Sequence, residues 1–315
     1  MLKSGLKVCV IGAGQVGATF SYALMIRGLA AEIVLIDKNP DLASGQAEDM
    51  SHGLPYVSPT NVHAGEYSDC KDADIIVIAA GAAQKPGETR LDLTKRNVDV
   101  MNEIVPDICR YAQDAILIVL SNPVDVLTYA VYKLSGLPQN RVLGSGTTLD
   151  SSRFRYLLSQ HIHVDPRNVH AHIIGEHGDS EVPVWSLVHI SGVQLEDYCQ
   201  SQNINMQMPI RDKIFEQVRT AAYHLIEKKG ATSHAIGLAT LSVVESIARD
   251  QNSLYSVSSY LDHYLGVSDV CLSVPAKINR NGVGERVLLR LSSDELAAFR
   301  KSAEVIQNII HKVGL

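Results

Sequence analysis

The chain has 315 residues, which is enough for two domains of ordinary size. Hydrophobic residues make up 46% and charged residues 20%, a balance typical of a folded globular protein that excludes a disordered one. The net charge of -6 gives no electrostatic reason to expect nucleic acid or an anionic membrane surface as a partner. An anionic ligand would therefore have to be held by a local cluster of basic side chains.

The five cysteines are scattered along the chain and form no C-x-x-C pair. This pattern favours reduced thiols over a disulfide framework or a zinc site. No stretch of about 18 uninterrupted apolar residues occurs, so no membrane span is predicted. We therefore expect a cytoplasmic protein with no bound metal.

In the first half of the chain, short apolar runs alternate with longer amphipathic stretches. The apolar runs, which we predict to be strands, are residues 6–11, 32–36, 75–80, 115–120 and 141–143. Residues 15–27 and 91–111 carry apolar side chains at helical spacing. Strands that are apolar throughout are covered on both faces, and their alternation with helices favours a parallel sheet. Residues 1–147 are therefore predicted to form an α/β domain with a doubly wound parallel sheet.

The pattern changes after residue 147. Helical patterns are found at residues 151–160, 210–229 and 235–249, and strand-like runs at 171–174, 260–266 and 270–278. A last amphipathic helix is predicted at 292–313, where Ser292 and Glu295 fit a capping box. Residues 148–315 thus predict a second domain of the α+β class.

Residues 12–17 read G-x-G-x-x-G between a predicted strand and a predicted helix. Gly12 permits a tight turn, Gly14 lets the backbone approach a pyrophosphate, and Gly17 allows close packing of helix on sheet. Asp37 ends the next strand, where a carboxylate would accept hydrogen bonds from ribose hydroxyls. The same carboxylate would repel a 2′-phosphate, which favours NAD over NADP. A helix N-cap or turn acid is the alternative role for Asp37.

Further polar residues follow predicted strands or precede predicted helices. The segment 81–90 follows a strand and carries Gln84 and Arg90. Ligands bind at the carboxyl ends of strands in open α/β sheets, although a solvated surface loop is the alternative. Asn122 also follows a strand, and Thr232 precedes a helical pattern. Each of these two could equally be a helix N-cap.

His177 stands between glycines directly after an apolar run. Most of the 12 histidines are best interpreted as surface or core residues. A chain with a nicotinamide-nucleotide motif needs a proton donor, however, and His177 is the candidate. Asp150 and Arg153 flank the start of a predicted helix, where Asp150 alone would be an ordinary first-turn acid.

Taken in order, these motifs closely resemble the NAD-dependent L-lactate dehydrogenase family, the bacterial type in particular. They are the glycine turn at 12–17, the loop at 84–90, Ser-Asn-Pro at 121–123, Leu-Asp-Ser-Ser-Arg-Phe-Arg at 149–155 and Gly-Glu-His-Gly-Asp at 175–179. The resemblance spans nearly the whole chain. It implies a Rossmann domain at 1–147, an α+β substrate domain at 148–315, NAD as cofactor, pyruvate and L-lactate as substrates, and a homotetramer.

The resemblance also implies a role for each site residue. His177 would be the acid/base on the substrate oxygen, Asp150 the carboxylate that orients its ring, and Arg153 the clamp on the substrate carboxylate. Arg90 would polarise the substrate carbonyl once its loop has closed. The other implied contacts are Gln84, Asn122 and Thr232 for the substrate, and Gly12, Gly14, Gln15, Val16, Gly17, Asp37, Gly81, Ala82 and Asn122 for the cofactor.

Arg155 and His170 match positions that, in allosteric bacterial members of the family, bind the phosphates of fructose 1,6-bisphosphate between subunits. Two basic groups that meet their symmetry mates would suit such a ligand. The alternative is that Arg155 is a solvated helix residue and His170 an incidental surface group.

Three other functions remain as alternatives. A malate dehydrogenase would share the chemistry and is disfavoured by Gln84. An NAD-dependent glycosidase would share the glycine motif but would need a metal site. A non-catalytic NAD-binding module would have no reason to carry His177, Asp150, Arg153 and Arg90 together.

Gln84 separates the lactate from the malate interpretation. In this superfamily its position faces the substituent on the third carbon of the substrate. A neutral side chain there leaves the second carboxylate of oxaloacetate desolvated and unpaired, which is costly. We expect Gln84→Arg to raise the ratio of oxaloacetate to pyruvate turnover, measured as NADH oxidation with each substrate. An unchanged ratio would show that Gln84 does not occupy this position.

Overall fold

The computed structural model describes residues 5–82, 87 and 89–315. The strands in these ranges are β1 Leu6–Ile11, β2 Ala30–Ile36, β3 Asn61–Ala64, β4 Ile75–Ile78, β5 Ile116–Val119, β6 Val142–Gly144, β7 Val169–His170, β8 Ile173–Ile174, β9 Val182–Pro183, β10 His189–Ile190, β11 Val193–Gln194, β12 Ser253–Leu261, β13 Val270–Asn279 and β14 Gly282–Arg286. The helices are α1 Gln15–Arg27, α2 Pro40–His52, α3 Arg90–Tyr111, α4 Val124–Ser135, α5 Thr148–Ile162, α6 Leu195–Ser201, α7 Met208–Lys229, α8 His234–Ala248 and α9 Ser293–Val313.

One long sheet runs through the described part of the chain in the order β14-β13-β12-β6-β5-β4-β1-β2-β3. The six neighbouring strands β6, β5, β4, β1, β2 and β3 are parallel to one another, whereas β12, β13 and β14 pair antiparallel. Strand order reverses at β1, which pairs with β2 on one side and β4 on the other. A crevice opens beyond the carboxyl ends of the strands at such a reversal. The predicted parallel α/β sheet is confirmed.

Apolar cores cover both faces of this sheet. In β4, Ile76 and Ile78 face the core that includes α3, α4 and α9. Ile75 and Val77 face the opposite core, which includes α1 and α8. Successive side chains of a strand point to opposite faces, so a doubly covered strand must be apolar at every position. Each of these four side chains is fully buried, which stabilises the fold by about 2 kcal/mol per side chain.

The second half adds two small antiparallel sheets and a third apolar core around α5. The strands β8 and β9 pair through Ile174 and Val182. They hold between them the loop 175–181, and Gly175 bridges to Ser273 of β13. This pairing anchors the loop that carries His177 to the edge of the long sheet.

Several predicted elements differ from the structure. The strand predicted at 260–266 is wrong, because β12 ends at Leu261 and the chain then turns, with Tyr264 and Val267 paired to each other. The capping box of α9 is present, with Glu295 N donating to Ser292 Oγ over 3.2 Å. The domain boundary at residue 147 stays a prediction; β6 ends at Gly144 and α5 begins at Thr148.

A helix N-cap was the alternative role for three of the predicted site residues, and the structure assigns the N-caps to other residues. The N-caps of α2, α4 and α8 are Asn39, Pro123 and Ser233, respectively. Asp37, Asn122 and Thr232 therefore do not have that role, although Asp37 is a turn acid whose Oδ1 accepts from Asn39 N over 2.9 Å. Across residues 5–82, 87 and 89–315, no helix is both long and apolar enough to cross a membrane.

Candidate active site

The turn between β1 and α1 is held by residues at the carboxyl end of β2. The N–H of Gly12 donates to Ile36 O over 2.7 Å, and the N–H of Ala13 donates to Asp37 Oδ2 over 2.8 Å. Gly12 has a φ of +102°, which favours glycine. A Cβ atom at Gly17 would lie 1.9 Å from Gly12 O. Glycine is therefore required at both positions for steric reasons, and Asp37 orients the turn.

A cleft of about 440 Å³ opens beside this turn. The expected cofactor residues that line it are Gly12, Gly14, Asp37, Gly81 and Ala82. α1 begins at Gln15 without a side-chain cap, so the N–H groups of its first turn can bind an anion. No atom lies within 4 Å of the point that a Cβ of Gly14 would occupy. The turn thus fits the pyrophosphate of a dinucleotide.

The remaining expected cofactor residues lie around the cleft. Gln15 and Val16 are in the first turn of α1, and Gly17 packs against Gly12. Asn122 lies beyond the cleft lining, where its Oδ1 accepts a hydrogen bond from Val124 N over 3.3 Å.

Asn97 of α3 connects the two loops that border the cleft. Its Oδ1 accepts from Ala82 N over 2.7 Å, and its Nδ2 donates to Asn122 O over 2.8 Å. The side chain is buried, and a buried amide holds its partners firmly because each lost hydrogen bond is costly. Sequence analysis missed Asn97. The sequence feature that could have indicated its role is a polar amide within the apolar face of a predicted helix.

His177, Asp150 and Arg153 form one hydrogen-bonded cluster. Asp150 Oδ2 lies 2.5 Å from His177 Nδ1, and Arg153 Nη1 donates to Asp150 Oδ1 over 2.8 Å. Asp150 is in the first turn of α5, and Arg153 follows one turn later, on the same side of the helix. The ring of His177 is 23% exposed, and no residue in the described ranges bonds to its Nε2. This ring nitrogen can therefore meet a ligand.

Charge and burial act against each other in this cluster. Burial alone would raise the pKa of Asp150, but the positive charges of His177 and Arg153 outweigh it and hold the pKa below its ordinary value. Burial alone would lower the pKa of His177, but the carboxylate of Asp150 outweighs it and raises that pKa to about 9. The cluster therefore favours a protonated imidazole at neutral pH.

Asp125 supports the same histidine from behind. Its Oδ2 accepts from the backbone N–H of His177 over 2.7 Å, and its Oδ1 accepts from Ser258 Oγ over 2.6 Å. Burial raises the pKa of Asp125 to about 7 despite these two donors. It joins α4, β12 and the His177 loop. Sequence analysis missed Asp125 because an acid in the first turn of a helix is common.

Arg90 reaches the His177 loop from the start of α3. It forms an ion pair with Asp179 and donates from Nη2 to Tyr223 Oη over 2.6 Å. Its side chain is 60% exposed, and it makes no direct contact with His177 in this arrangement. Thr232 is half-buried in the link between α7 and α8, without a hydrogen bond to the cluster of His177, Asp150 and Arg153. Gln84 lies outside the described residues.

Arg155 of α5 and His170 of β7 both lie near His172. Arg155 Nε donates to Ala171 O over 3.1 Å, and burial lowers the pKa of Arg155. It lines a cavity of about 270 Å³ together with His172. Burial, then the charges of Arg155 and His170, lower the pKa of His172 to about 4.

The arrangement suits acid–base chemistry on a small anion. The imidazole of His177 and the guanidinium of Arg153 both bond to Asp150, and the sheet also carries a cleft that fits a dinucleotide. Within residues 5–82, 87 and 89–315, no group of three or more His, Cys, Asp or Glu side chains is placed to hold a metal ion.

Two protein-family models match the chain. The lactate/malate dehydrogenase NAD binding domain matches residues 6–144, and the lactate/malate dehydrogenase alpha/beta C-terminal domain matches residues 147–314. Among curated proteins, L-lactate dehydrogenase of Thermoanaerobacter sp. (strain X514) is 52% identical over 98% of this chain and 99% of its own. L-lactate dehydrogenase of Acetivibrio thermocellus is 51% identical over 98% of each chain.

Solved structures give the same result. A lactate dehydrogenase from a Medee basin deep-sea metagenome library superimposes with a TM-score of 0.96 at 39% identity, over 99% of both chains. The minor L-lactate dehydrogenase of Enterococcus mundtii in a ligand-bound form also has a TM-score of 0.96, at 38% identity over 99% of this chain and 100% of its own.

Two glycine substitutions should separate folding from cofactor binding. We expect Gly17→Ala to lower the free energy of unfolding by about 3 kcal/mol, because its methyl group meets Gly12 O. Gly14→Ala should change that free energy by less than about 1 kcal/mol, yet weaken NADH binding by about tenfold or more, since a methyl group there obstructs the pyrophosphate. Urea unfolding and NADH fluorescence titration measure the two effects. Wild-type NADH affinity in Gly14→Ala would contradict this placement.

Proposed function

The chain belongs to the lactate/malate dehydrogenase family, and from this we propose that it interconverts pyruvate and L-lactate with NAD as its cofactor. The observation that carries the proposal is the cluster of His177, Asp150 and Arg153 beside a dinucleotide cleft. The curated relatives support the same activity, since two named L-lactate dehydrogenases share about half of their residues with this chain over its full length.

His177 is the proton donor and acceptor of the proposed reaction. As imidazolium it protonates the carbonyl oxygen of pyruvate from Nε2, and as imidazole it takes the hydroxyl proton of lactate. Asp150 bonds to Nδ1 and so fixes the ring orientation and stabilises the charged form. Asp125 fixes the backbone of the same residue. When bound in the cleft, NADH supplies the hydride that reduces the carbonyl carbon.

Arg153 and Arg90 have different parts in this proposal. Arg153 is half-buried and, among the described residues, is anchored to Asp150 through Nη1, so the rest of its planar guanidinium can bind the substrate carboxylate. Arg90 is exposed and paired with Asp179, two residues after His177. In the proposed reaction, Arg90 leaves Asp179 when the substrate binds and polarises the substrate carbonyl. Asn122 and Thr232 complete the proposed substrate pocket.

The remaining cofactor contacts are also proposals. The first turn of α1 and Gly14 hold the pyrophosphate, and Asp37 accepts hydrogen bonds from the ribose. The loop at Gly81 and Ala82, tied by Asn97, borders the nicotinamide half. The division into domains at 1–147 and 148–315 places the cofactor mainly on the first and the acid–base cluster on the second.

The direct test is NADH oxidation with pyruvate and oxaloacetate in parallel. A strong preference for pyruvate is the expected result, because Gln84 offers no positive charge to a second carboxylate. A preference for oxaloacetate would replace the proposed substrate while leaving the acid–base assignment in place. Tight NADH binding without turnover of either substrate would favour the non-catalytic alternative.

Removing the carboxylate of Asp150 should shift the pH dependence of pyruvate reduction. Pyruvate reduction needs protonated His177, which in the wild type persists until the pH rises through about 9. In Asp150→Asn, the largest effect that opposes burial is removed and only the weaker effects of Asp125 and Glu181 remain, so the pKa of the imidazole falls. We expect kcat/KM for pyruvate at pH 8 to fall by about 100-fold. The surface variant Asp165→Asn is the control, and an unshifted alkaline limb in Asp150→Asn would contradict this role.

The assembly and location of the protein are further parts of the proposal. We propose a homotetramer, which is supported by exposed apolar side chains on the paired helices α1 and α8: Tyr22 and Ile26 on the first, Leu238 on the second, each more than half exposed. The cytoplasm is the proposed location, and the free thiols, mostly buried, are compatible with a reducing compartment.

Fructose 1,6-bisphosphate is the proposed activator, bound at Arg155 and His170. Arg155 supports this because no carboxylate in the described part of the chain pairs with it, so its half-buried charge is available to a phosphate. We expect the bisphosphate to move the pyruvate saturation curve to lower concentration in the wild type, and Arg155→Gln to abolish this movement. No shift in the wild type at any pH from mildly acid to neutral would exclude the activator.

A further inference from the structure

Glu181 is a carboxyl group beside the His177 cluster that the proposed reaction does not use. It ends the loop that begins at Gly175, directly before β9. Its backbone N–H donates to Gly178 O over 3.2 Å and closes that loop. His177 and Glu181 are therefore held by the same short hairpin, four positions apart.

The side chain of Glu181 is buried and has no ionic partner among the described residues. The residue is 6% exposed, and its Oε1 is buried without a hydrogen bond to any residue in the described ranges. The nearby cations, His177 and Arg153, both bond to Asp150. A buried carboxylate without a partner is very unfavourable, whereas a neutral carboxylic acid costs far less.

The charges around Glu181 come from three elements. Asp150 and Arg153 of α5, His177 of the loop and Arg219 of α7 all act on its ionisation. Arg219 is itself paired with Glu216 over 2.5 Å. From α9, the neighbouring group is the hydroxyl of Ser302, which bonds to Ser180. Burial, followed by the negative charge of Asp150, raises the pKa of Glu181 to about 9 and outweighs the positive charges of His177, Arg153 and Arg219, which act to lower it.

We propose that Glu181 is a positioning residue that acts as a neutral carboxylic acid, and that the pocket accepts the substrate carboxylate only while Glu181 keeps its proton. This inference rests on the proposed function. A neutral Glu181 leaves the charge of Arg153 available to the substrate. An ionised Glu181 would add a second buried negative charge beside Asp150 and repel the same ligand. Substrate affinity thus depends on two protons, one on His177 and one on Glu181.

The test is the pH dependence of oxamate binding to the NADH complex of the full enzyme. Oxamate is the amide analogue of pyruvate and carries the same carboxylate. Between pH 8 and pH 10, Asp125 is already ionised, so the protons of His177 and Glu181 decide the result. In the wild type, log Kd plotted against pH should steepen toward a slope of two. In Glu181→Gln the slope should not exceed one, and at pH 10 the variant should bind oxamate about tenfold more tightly than the wild type.

Two further variants sharpen this test. Glu227→Gln removes an exposed carboxylate of α7 and should keep the wild-type slope. Glu181→Met has a side chain of similar length without a titrating proton and should give the same slope as Glu181→Gln. The test therefore remains valid even if the buried site does not accept the amide of Gln. Equal slopes in the wild type and both Glu181 variants would overturn the proposal.

Infrared spectroscopy provides a readout that does not depend on substrate. At pH 8, where Asp125 is already ionised, a protonated carboxyl band should be present in the wild type, disappear as the pH rises through about 9 and be missing in Glu181→Gln. Identical spectra of the two proteins would overturn the proposal. A failure of every variant and of the wild type to bind oxamate would overturn the proposed function instead, while the infrared result would still decide the protonation of Glu181.

Discussion

The buried carboxylate of Asp150 is the interaction on which the rest of the site depends. One of its oxygens holds the imidazole of His177, and the other holds the guanidinium of Arg153. The two cations together offset the cost of burying this charge and hold the pKa of Asp150 below its ordinary value. In return, Asp150 keeps the imidazole protonated and the guanidinium in a fixed position. A proton donor and an anion clamp are thus built around one shared negative charge.

The sheet brings this cluster to the cofactor cleft. The strands β1, β4 and β5 end at the same edge, and Asn97 ties the loops after β4 and β5 to each other. The antiparallel strands β12 and β13 continue the same sheet, and the His177 loop is bridged to β13. One continuous sheet therefore sets the distance between the dinucleotide-binding half and the acid–base half. Hydride and proton chemistry need such a fixed relation.

Motifs formed by residues close in sequence were predictable. The glycine turn, Asp37 and the His177 loop could be identified because each requires a particular residue type at a particular spacing. Asn97, Asp125 and Glu181 could not, since each resembles a common helix or surface residue until its neighbours are known. Their importance comes from burial and from partners far away in the chain, such as Ser258 for Asp125 and Asn122 for Asn97. Family resemblance linked Asp150 to His177, whereas spacing alone suggested only a first-turn acid.

The sequence by itself determined the parallel α/β sheet, the dinucleotide turn and the residue types for acid–base work. Apolar periodicity and steric limits on glycine act over a few residues and can be read directly. Only the tertiary structure decided which carboxyl groups are ionised. Asp150 lies next to two cations, Asp125 receives two hydrogen-bond donors, and Oε1 of Glu181 is buried without a hydrogen bond among the described residues. The pKa values of these three acids therefore shift differently, because burial and the distance to other charges are properties of the folded chain.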